Sequence, residues 1–240
     1  MFKKYWKFFV IFWSVVLVGI IGVFVFFWLI SAGKLGCMPT FEELENPNNR
    51  FASEVYFADG PIMNRYFEKE NRKYIEYREI PQSVIDALIA TEDVRFYDHS
   101  GVDVRGLFRV AKGLLTANTS AGGGSTISQQ LAKMLFPRES DLNVFELAIR
   151  KFREWVIAVR LEKSYTKEEI LTMYLNKYDF LNLAVGISSA ADIYFQVPLD
   201  SLKVEQAAML IGMAKNSSYY NPVRRPELTL NRRNVVLSQM

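Results

Sequence analysis

The chain has 240 residues, with 29 Lys plus Arg against 26 Asp plus Glu, one His, one Cys and a formal net charge of +3. Half of the residues are apolar, which excludes an intrinsically disordered chain. A single Cys and a single His exclude an internal disulfide framework and a Cys/His zinc site, and neither a P-loop nor a Gly-x-Gly-x-x-Gly dinucleotide fingerprint is present.

The charge is unevenly placed. Lys3, Lys4 and Lys7 are the only charged residues among the first 30, and without them 26 basic residues face 26 acidic ones. The remainder has no general basic field, which argues against a nucleic-acid partner. Phe8–Ile30 is an uncharged run that as a helix spans ~35 Å, enough for a bilayer core. Tyr5, Trp6, Trp13 and Trp28 lie towards its ends, as interfacial aromatics do. The run is long for a cleaved signal peptide and no Ala-x-Ala site follows it. Lys34 stands where a lipobox before Cys37 needs an apolar residue. An uncleaved anchor is expected. Three lysines before the run, and Glu42, Glu43 and Glu45 after it, place the N-terminus in the cytoplasm and the rest outside the inner membrane. No ATP is found there, so a synthetic reaction needs a substrate carrying its own activated leaving group.

Residues 31–50 are polar and rich in Pro and Asn, as a linker is. Ser53–Phe57 and Ile62–Phe67 flank Ala58-Asp59-Gly60-Pro61 and predict a β-hairpin, and the alternation in Lys73–Ile80 predicts a third strand. From Pro81 the pattern turns helical, with Val84, Ile85, Leu88 and Ile89 at helical spacing. Further helices are predicted over 103–116, 125–136, 142–162, 167–176, 183–195, 203–215 and 226–240. No internal repeat or low-complexity tract interrupts them.

Glu92 follows Leu88 by four residues and shares its apolar face, which desolvates the carboxylate and suits a general acid or base. Asp93, Phe96, His99 and Gly101 follow as Glu-Asp-x-x-Phe-x-x-His-x-Gly; a helix-end acid pair with a structural His99 is the alternative. Gly122-Gly123-Gly124-Ser125-Thr126 opens a helix and continues through Gln129, Gln130 and Lys133. Free N–H groups at such a start bind anions, although Ser125 or Thr126 as a plain N-cap explains the glycines and hydroxyls equally. Arg150, Lys151 and Glu154 are helix neighbours at i,i+3 and i,i+4. By spacing alone they fit a solvated ion-paired face worth ~0.3–0.5 kcal/mol. Val104, Leu107, Phe108, Ala111 and Leu115 form one stripe with Arg105, Arg109 and Lys112 off it, which fits either a membrane-interfacial helix or a core-facing one. Thr166 with Glu169 makes a capping box for the helix through Tyr174 and Asn176.

Together these motifs resemble the peptidoglycan glycosyltransferases (glycosyltransferase family 51), the transglycosylase domain of class A penicillin-binding proteins and monofunctional glycosyltransferases. Five appear in order: the Glu92 motif, GGSTISQQLAK (123–133), RKFRE (150–154), KEEILTMYLN (167–176) and Arg232-Arg233-x-x-Val236-Leu237. The resemblance covers roughly residues 75–240. It implies a mostly α, lysozyme-like fold, preceded here by a cytoplasmic stretch (1–7), a transmembrane anchor (8–30) and a linker with a small β element (31–74).

The activity implied is polymerisation of lipid II into glycan strands. Glu92 would deprotonate the acceptor's GlcNAc 4-hydroxyl, whose oxygen attacks C1 of the donor MurNAc with inversion as undecaprenyl diphosphate leaves. Glu154 matches the second essential carboxylate, which helps position the diphosphates. No cofactor is required; a divalent cation, Mg or Mn, is an optional aid. Asp93, Phe96, His99, Ser125, Thr126, Gln129, Gln130, Lys133, Arg138, Arg150 and Lys151 match substrate-binding positions, Arg138 being the only candidate in 134–149 for a phosphate-binding Arg. Implied partners are lipid II, the growing glycan strand, membrane lipid, and cell-division or elongation proteins.

Two positions depart from the family pattern: Met134 replaces an Asn and Gln196 a Gly. The chain stops at Met240, inside the helix of the fifth motif. The hairpin and the Tyr220-Asn221-Pro222 stretch resemble class A penicillin-binding proteins, so an N-terminal piece of a bifunctional protein is expected; the Ser-x-x-Lys, Ser-x-Asn and Lys-Thr-Gly motifs of its transpeptidase do not occur together here. A lytic transglycosylase or lysozyme-like cleaving enzyme would need one acid and no cationic cradle beside an anchor. An inactive anchored interaction module would need neither Glu92 nor Glu154.

Overall fold

The computed structural model describes residues 2–36, 38, 53–56, 62–66, 71–116, 123–135 and 143–240. The described part is mostly helical. Helix α1 (Phe2–Ser31) is followed by two short strands, β1 (Ser53–Tyr56) and β2 (Ile62–Tyr66), which pair antiparallel as the hairpin pattern predicts. Then come β3 (Asn71–Arg72), α2 (Gln82–Glu92), α3 (Val104–Leu115), α4 (Ile127–Leu135), α5 (Val144–Ser164) and α6 (Lys167–Lys177). The chain ends with β4 (Ala184–Val185), α7 (Ile187–Phe195), α8 (Val204–Ala214) and α9 (Pro226–Gln239).

The helix starts have local causes. Pro81 precedes α2 at φ −57°, and its carbonyl accepts the Val84 N–H at 3.0 Å. Reciprocal capping boxes open α5 (Asn143 with Glu146) and α6 (Thr166 with Glu169). Pro226 occupies the first turn of α9, where its missing N–H costs nothing. The core sits where α2, α4, α6, α8 and α9 converge, built from Val84, Leu88, Leu131, Leu171, Ile211 and Val236.

Two predicted elements differ. Lys73–Ile80 is not a strand: β3 is two residues long, and after an extended stretch the chain turns at Tyr77–Glu79. The alternation there has another cause. The Asn176 side chain accepts the Ile75 N–H at 3.0 Å and donates to its carbonyl at 2.8 Å, taking the place of a neighbouring strand. The helix expected over 183–195 begins only at Ile187. Ala184–Val185 pairs parallel with Asn71–Arg72, and Gly186 at φ 85° separates that pairing from the helix.

Helix α3 shows its apolar stripe to the outside. Val104, Phe108 and Leu115 are exposed while Gly106 and Gly113 face inward, so the core-facing alternative does not hold. Helix α1 is long and apolar enough to cross a membrane. Its end is packed onto α5: Phe26 and Phe27 meet the Phe152 ring edge-on at 5.4 and 5.6 Å, and Ile30 is fully buried. Arg160 of α5 donates to the Ser31 carbonyl and hydroxyl at 2.8 and 2.9 Å.

Gln196 caps α7 in the left-handed region, at φ 55° and ψ 36°. Glycine reaches that conformation without the Cβ clash. Gln196→Gly is expected to stabilise the domain by about 0.5–1 kcal/mol, the relief of strain exceeding the entropy cost. Thermal melting of the two proteins in the same detergent checks the direction.

Candidate active site

A cleft of about 870 Å³ opens between the C-terminal end of α2, the start of α4 and the face of α9. Glu92, Ser125, Thr126, Gln130, Lys133 and Arg232 line it. Five cationic side chains lie along it (Arg95, Arg109, Lys133, Lys215, Arg232) against three carboxylates (Glu92, Asp93, Asp103), so the lining favours an anion.

Glu92 ends α2 with only 13% of its side chain exposed. Gln130 of α4 donates its amide N–H to Oε2 at 2.8 Å, and Arg232 of α9 lies 3.5 Å from Oε1. Each oxygen thus faces one donor, with lone pairs left for a substrate proton. Glu154 is also buried, at 11% side-chain exposure. Its Oε2 meets Lys151 at 3.0 Å and Lys133 at 3.7 Å. Lys151 donates further to Ser125 Oγ and Gln129 Oε1, and Lys133 extends the cluster into the cleft. Both ammonium groups approach one oxygen of Glu154. This donor set fits an anion rather than a divalent cation, and among the described residues no group of three or more His, Cys, Asp and Glu is placed to hold a metal.

The helix start that carries Gln130 is fixed from behind. Asp93 Oδ2 accepts the Ile127 N–H at 3.1 Å, and Asp93 also pairs with His99 at 3.0 Å. The Gly101 carbonyl accepts from Thr126 Oγ1 at 2.7 Å and Gln129 Nε2 at 3.1 Å. Gly101 is at φ 94°, and a Cβ there would lie 2.8 Å from the backbone of Ala158, so no other residue fits. Lys167 of α6 donates to the His99 carbonyl at 2.7 Å, pairs with Glu162 and caps the Phe96 ring at 4.3 Å.

Most of the expected residues converge here. Glu92, Ser125, Thr126, Gln130 and Lys133 line the cleft, and Lys151 and Glu154 lie directly behind Lys133 and Ser125. Phe96, His99 and Gln129 do not line it. Phe96 and Gln129 are fully buried, and His99 is tied to Asp93 beside a separate hollow. Asp93 borders the cleft, but its carboxylate is spent on Ile127 and His99. These four residues hold the wall up from within. Arg150 is half-buried on α5 away from the lining, and Arg138 lies outside the described residues. Arg232 was not among the expected site residues; its signal was the paired arginines of the fifth motif.

Burial governs the tyrosines beneath the cleft. Burial first, then the Glu92 charge, pushes the Tyr174 phenol well above its ordinary range, and burial pushes Tyr178 up to about 12. For Asp103, burial pushes the carboxyl up, but the Arg95 hydrogen bond and charge with the Gly106 N–H outweigh it and hold it low.

The chain belongs to the transglycosylase family, the glycosyltransferase domain of class A penicillin-binding proteins: the Transglycosylase family model matches residues 59–240. Penicillin-binding protein 1A of Escherichia coli (strain K12) is 38% identical over 203 residues, which is 85% of this chain and 23% of that protein. Penicillin-binding protein 1A of Pseudomonas aeruginosa is 37% identical over 203 residues, 85% of this chain and 24% of that protein. The crystal structure of penicillin-binding protein 1A from Haemophilus influenzae aligns over 80% of this chain and 18% of that one, at 22% identity and a TM-score of 0.42. The chain therefore spans about a quarter of the length of the relatives it matches.

Raised phenol values add stability that is complete below about pH 10, the ordinary tyrosine range, and is lost as pH rises past it. In an alkaline titration of tyrosinate absorbance, Tyr178 is expected to ionise only near pH 12 and Tyr174 only on unfolding. Full ionisation of all 12 tyrosines near pH 10 in a still-folded protein would contradict this burial.

Proposed function

We propose that this protein is a membrane-anchored peptidoglycan glycosyltransferase that polymerises lipid II. The observation that carries the reading is the pairing of two buried carboxylates with cations around one cleft: Glu92 with Arg232, and Glu154 with Lys133 and Lys151. The family membership supports the reaction class, and the cationic lining suits a diphosphate.

In this reaction Glu92 takes the proton of the acceptor's GlcNAc 4-hydroxyl. The freed oxygen forms a bond to C1 of the donor MurNAc from the face opposite the leaving group. The C1–O bond to the diphosphate breaks, and undecaprenyl diphosphate leaves with the electron pair. Inversion follows from the single displacement. Lys133, with Lys151 behind it, offsets the charge that builds on the leaving diphosphate. Glu154 keeps the two ammonium groups together at the cleft wall. The exposed face of α3, with Phe108 and Leu115, meets the lipid surface, and α1 spans the inner membrane with its N-terminus in the cytoplasm. The substrate's lipid tail then enters from the side on which its sugars are joined.

The test uses the full chain in detergent micelles with labelled lipid II, scored for polymer. Glu92→Gln is expected to lower turnover about 10²–10⁴-fold, the usual worth of a general base, with unchanged melting. Near-normal turnover in that variant would remove Glu92 from the base role, and shortening of preformed strands without polymer growth would sink the polymerase reading. Lys133→Ala is expected to weaken lipid II binding by about 1.5–3 kcal/mol, the worth of a hydrogen bond to a charged group. Equal losses of melting temperature and activity would make Lys133 structural.

A further inference from the structure

We propose that Tyr174 is a positioning residue for the reaction: its hydroxyl fixes which end of the Gln130 amide faces Glu92. The inference rests on the reading of Glu92 as the base.

The fourth motif is otherwise explained by scaffolding. Lys167 holds the His99 loop and Asn176 holds Ile75. Tyr174 lies between them on α6, its ring fully buried in the core and stacked on Tyr178 at 5.8 Å. A Phe ring fills that space as well, so packing does not call for the hydroxyl. The hydroxyl donates to Gln130 Oε1 at 3.0 Å, and Gln130 Nε2 donates to Glu92 Oε2 at 2.8 Å. The three side chains form one line of donors from the core to the cleft.

The two ends of a glutamine amide have nearly the same shape and opposite hydrogen-bonding character. Turned over, Gln130 would set its oxygen against a carboxylate oxygen at hydrogen-bond distance. The Tyr174 proton would then lose its acceptor inside the core, at the cost of an unmade buried hydrogen bond. With Tyr174 as donor, only one orientation satisfies every group, and it presents an N–H to ionised Glu92. Because burial and the Glu92 charge keep the phenol protonated, the donor persists across the working pH range. Without the hydroxyl, the amide samples both orientations and the ionised, base form of Glu92 loses part of its support. Arg232 from α9, Lys133 from α4, Lys215 beyond α8 and Tyr178 after α6 share the cleft, and Asp93 follows Glu92 in the chain. These groups are untouched when the Tyr174 hydroxyl is removed.

The experiment measures lipid II polymerisation against pH by the full chain in detergent. In Tyr174→Phe, kcat is expected to fall about tenfold, with KM within twofold and the acidic limb of the profile moved to higher pH. In a Gln130→Met background the same substitution is expected to change nothing further, because the line already ends there. Tyr174→para-methylphenylalanine fills the hydroxyl's space without a donor and should match Phe, whereas Tyr174→para-aminophenylalanine restores an N–H donor and should recover kcat. This isosteric pair decides the matter if Tyr174→Phe does not fold. An unmoved acidic limb, an equal loss in the Gln130→Met background, or equal activity of the para-methyl and para-amino variants would each overturn the proposal. If Glu92→Gln is inactive while Tyr174→Phe behaves as wild type, only the positioning role falls. If Glu92→Gln turns over normally, the base reading falls first.

Discussion

The cleft depends on one buried carboxylate whose bonds go to the protein itself. Asp93 follows Glu92 directly and accepts the Ile127 N–H at the start of α4. An anion at a helix N-terminus satisfies a free donor and complements the helix dipole. The same carboxylate holds His99, and His99 Nδ1 accepts the Gly101 N–H, so the loop after α2 closes on itself. The Gly101 carbonyl then receives Thr126 and Gln129. In this way the end of α2 and the start of α4 become one piece, and Gln130 arrives beside Glu92 without a flexible step between them.

Electrostatic balance explains the rest of the site. A buried carboxylate is costly unless paired, and both Glu92 and Glu154 are paired with cations from other turns or helices. Arg232 reaches Glu92 from α9, almost at the end of the chain, while Lys133 and Lys151 reach Glu154 from α4 and α5. The lining still carries more cations than carboxylates, so pairing the acids does not exhaust the positive charge. An anionic substrate would complete the balance.

The join between α1 and the rest of the domain is of a different kind. Aromatic edges from α1 and α5 pack together, and Arg160 binds the last turn of α1. Helix α5 also carries Lys151 and Glu154, so the element that meets α1 is the one that supports the cationic side of the cleft.

Much of this was legible in the sequence because it is local. Helix α1 showed as an uncharged run, the other helices as apolar periodicity from Pro81 onward, and the start of α6 as a capping box. Glu92, Gln130, Lys133 and Glu154 stood out through the resemblance that the five ordered motifs carry together, not through the spacing of any one of them. What sequence could not assign is which polar residues face the cleft and which hold it up. Phe96, His99 and Gln129 read as binding residues, yet they lie inside, because Lys151 meets Gln129 from 22 positions away and Lys167 meets the His99 carbonyl from 68 positions away and the Phe96 ring as well. Lys73–Ile80 read as a strand because its alternation is real, but its partner is a side chain 101 positions on rather than a neighbouring strand. Arg232 and Tyr174 acquire their contacts to the Glu92 site only when α9 and α6 pack against α2 and α4. Periodicity and capping are properties of neighbouring residues, so the sequence alone determined most of the helices. Partners for buried charges come from distant segments, so only the tertiary structure decided the site.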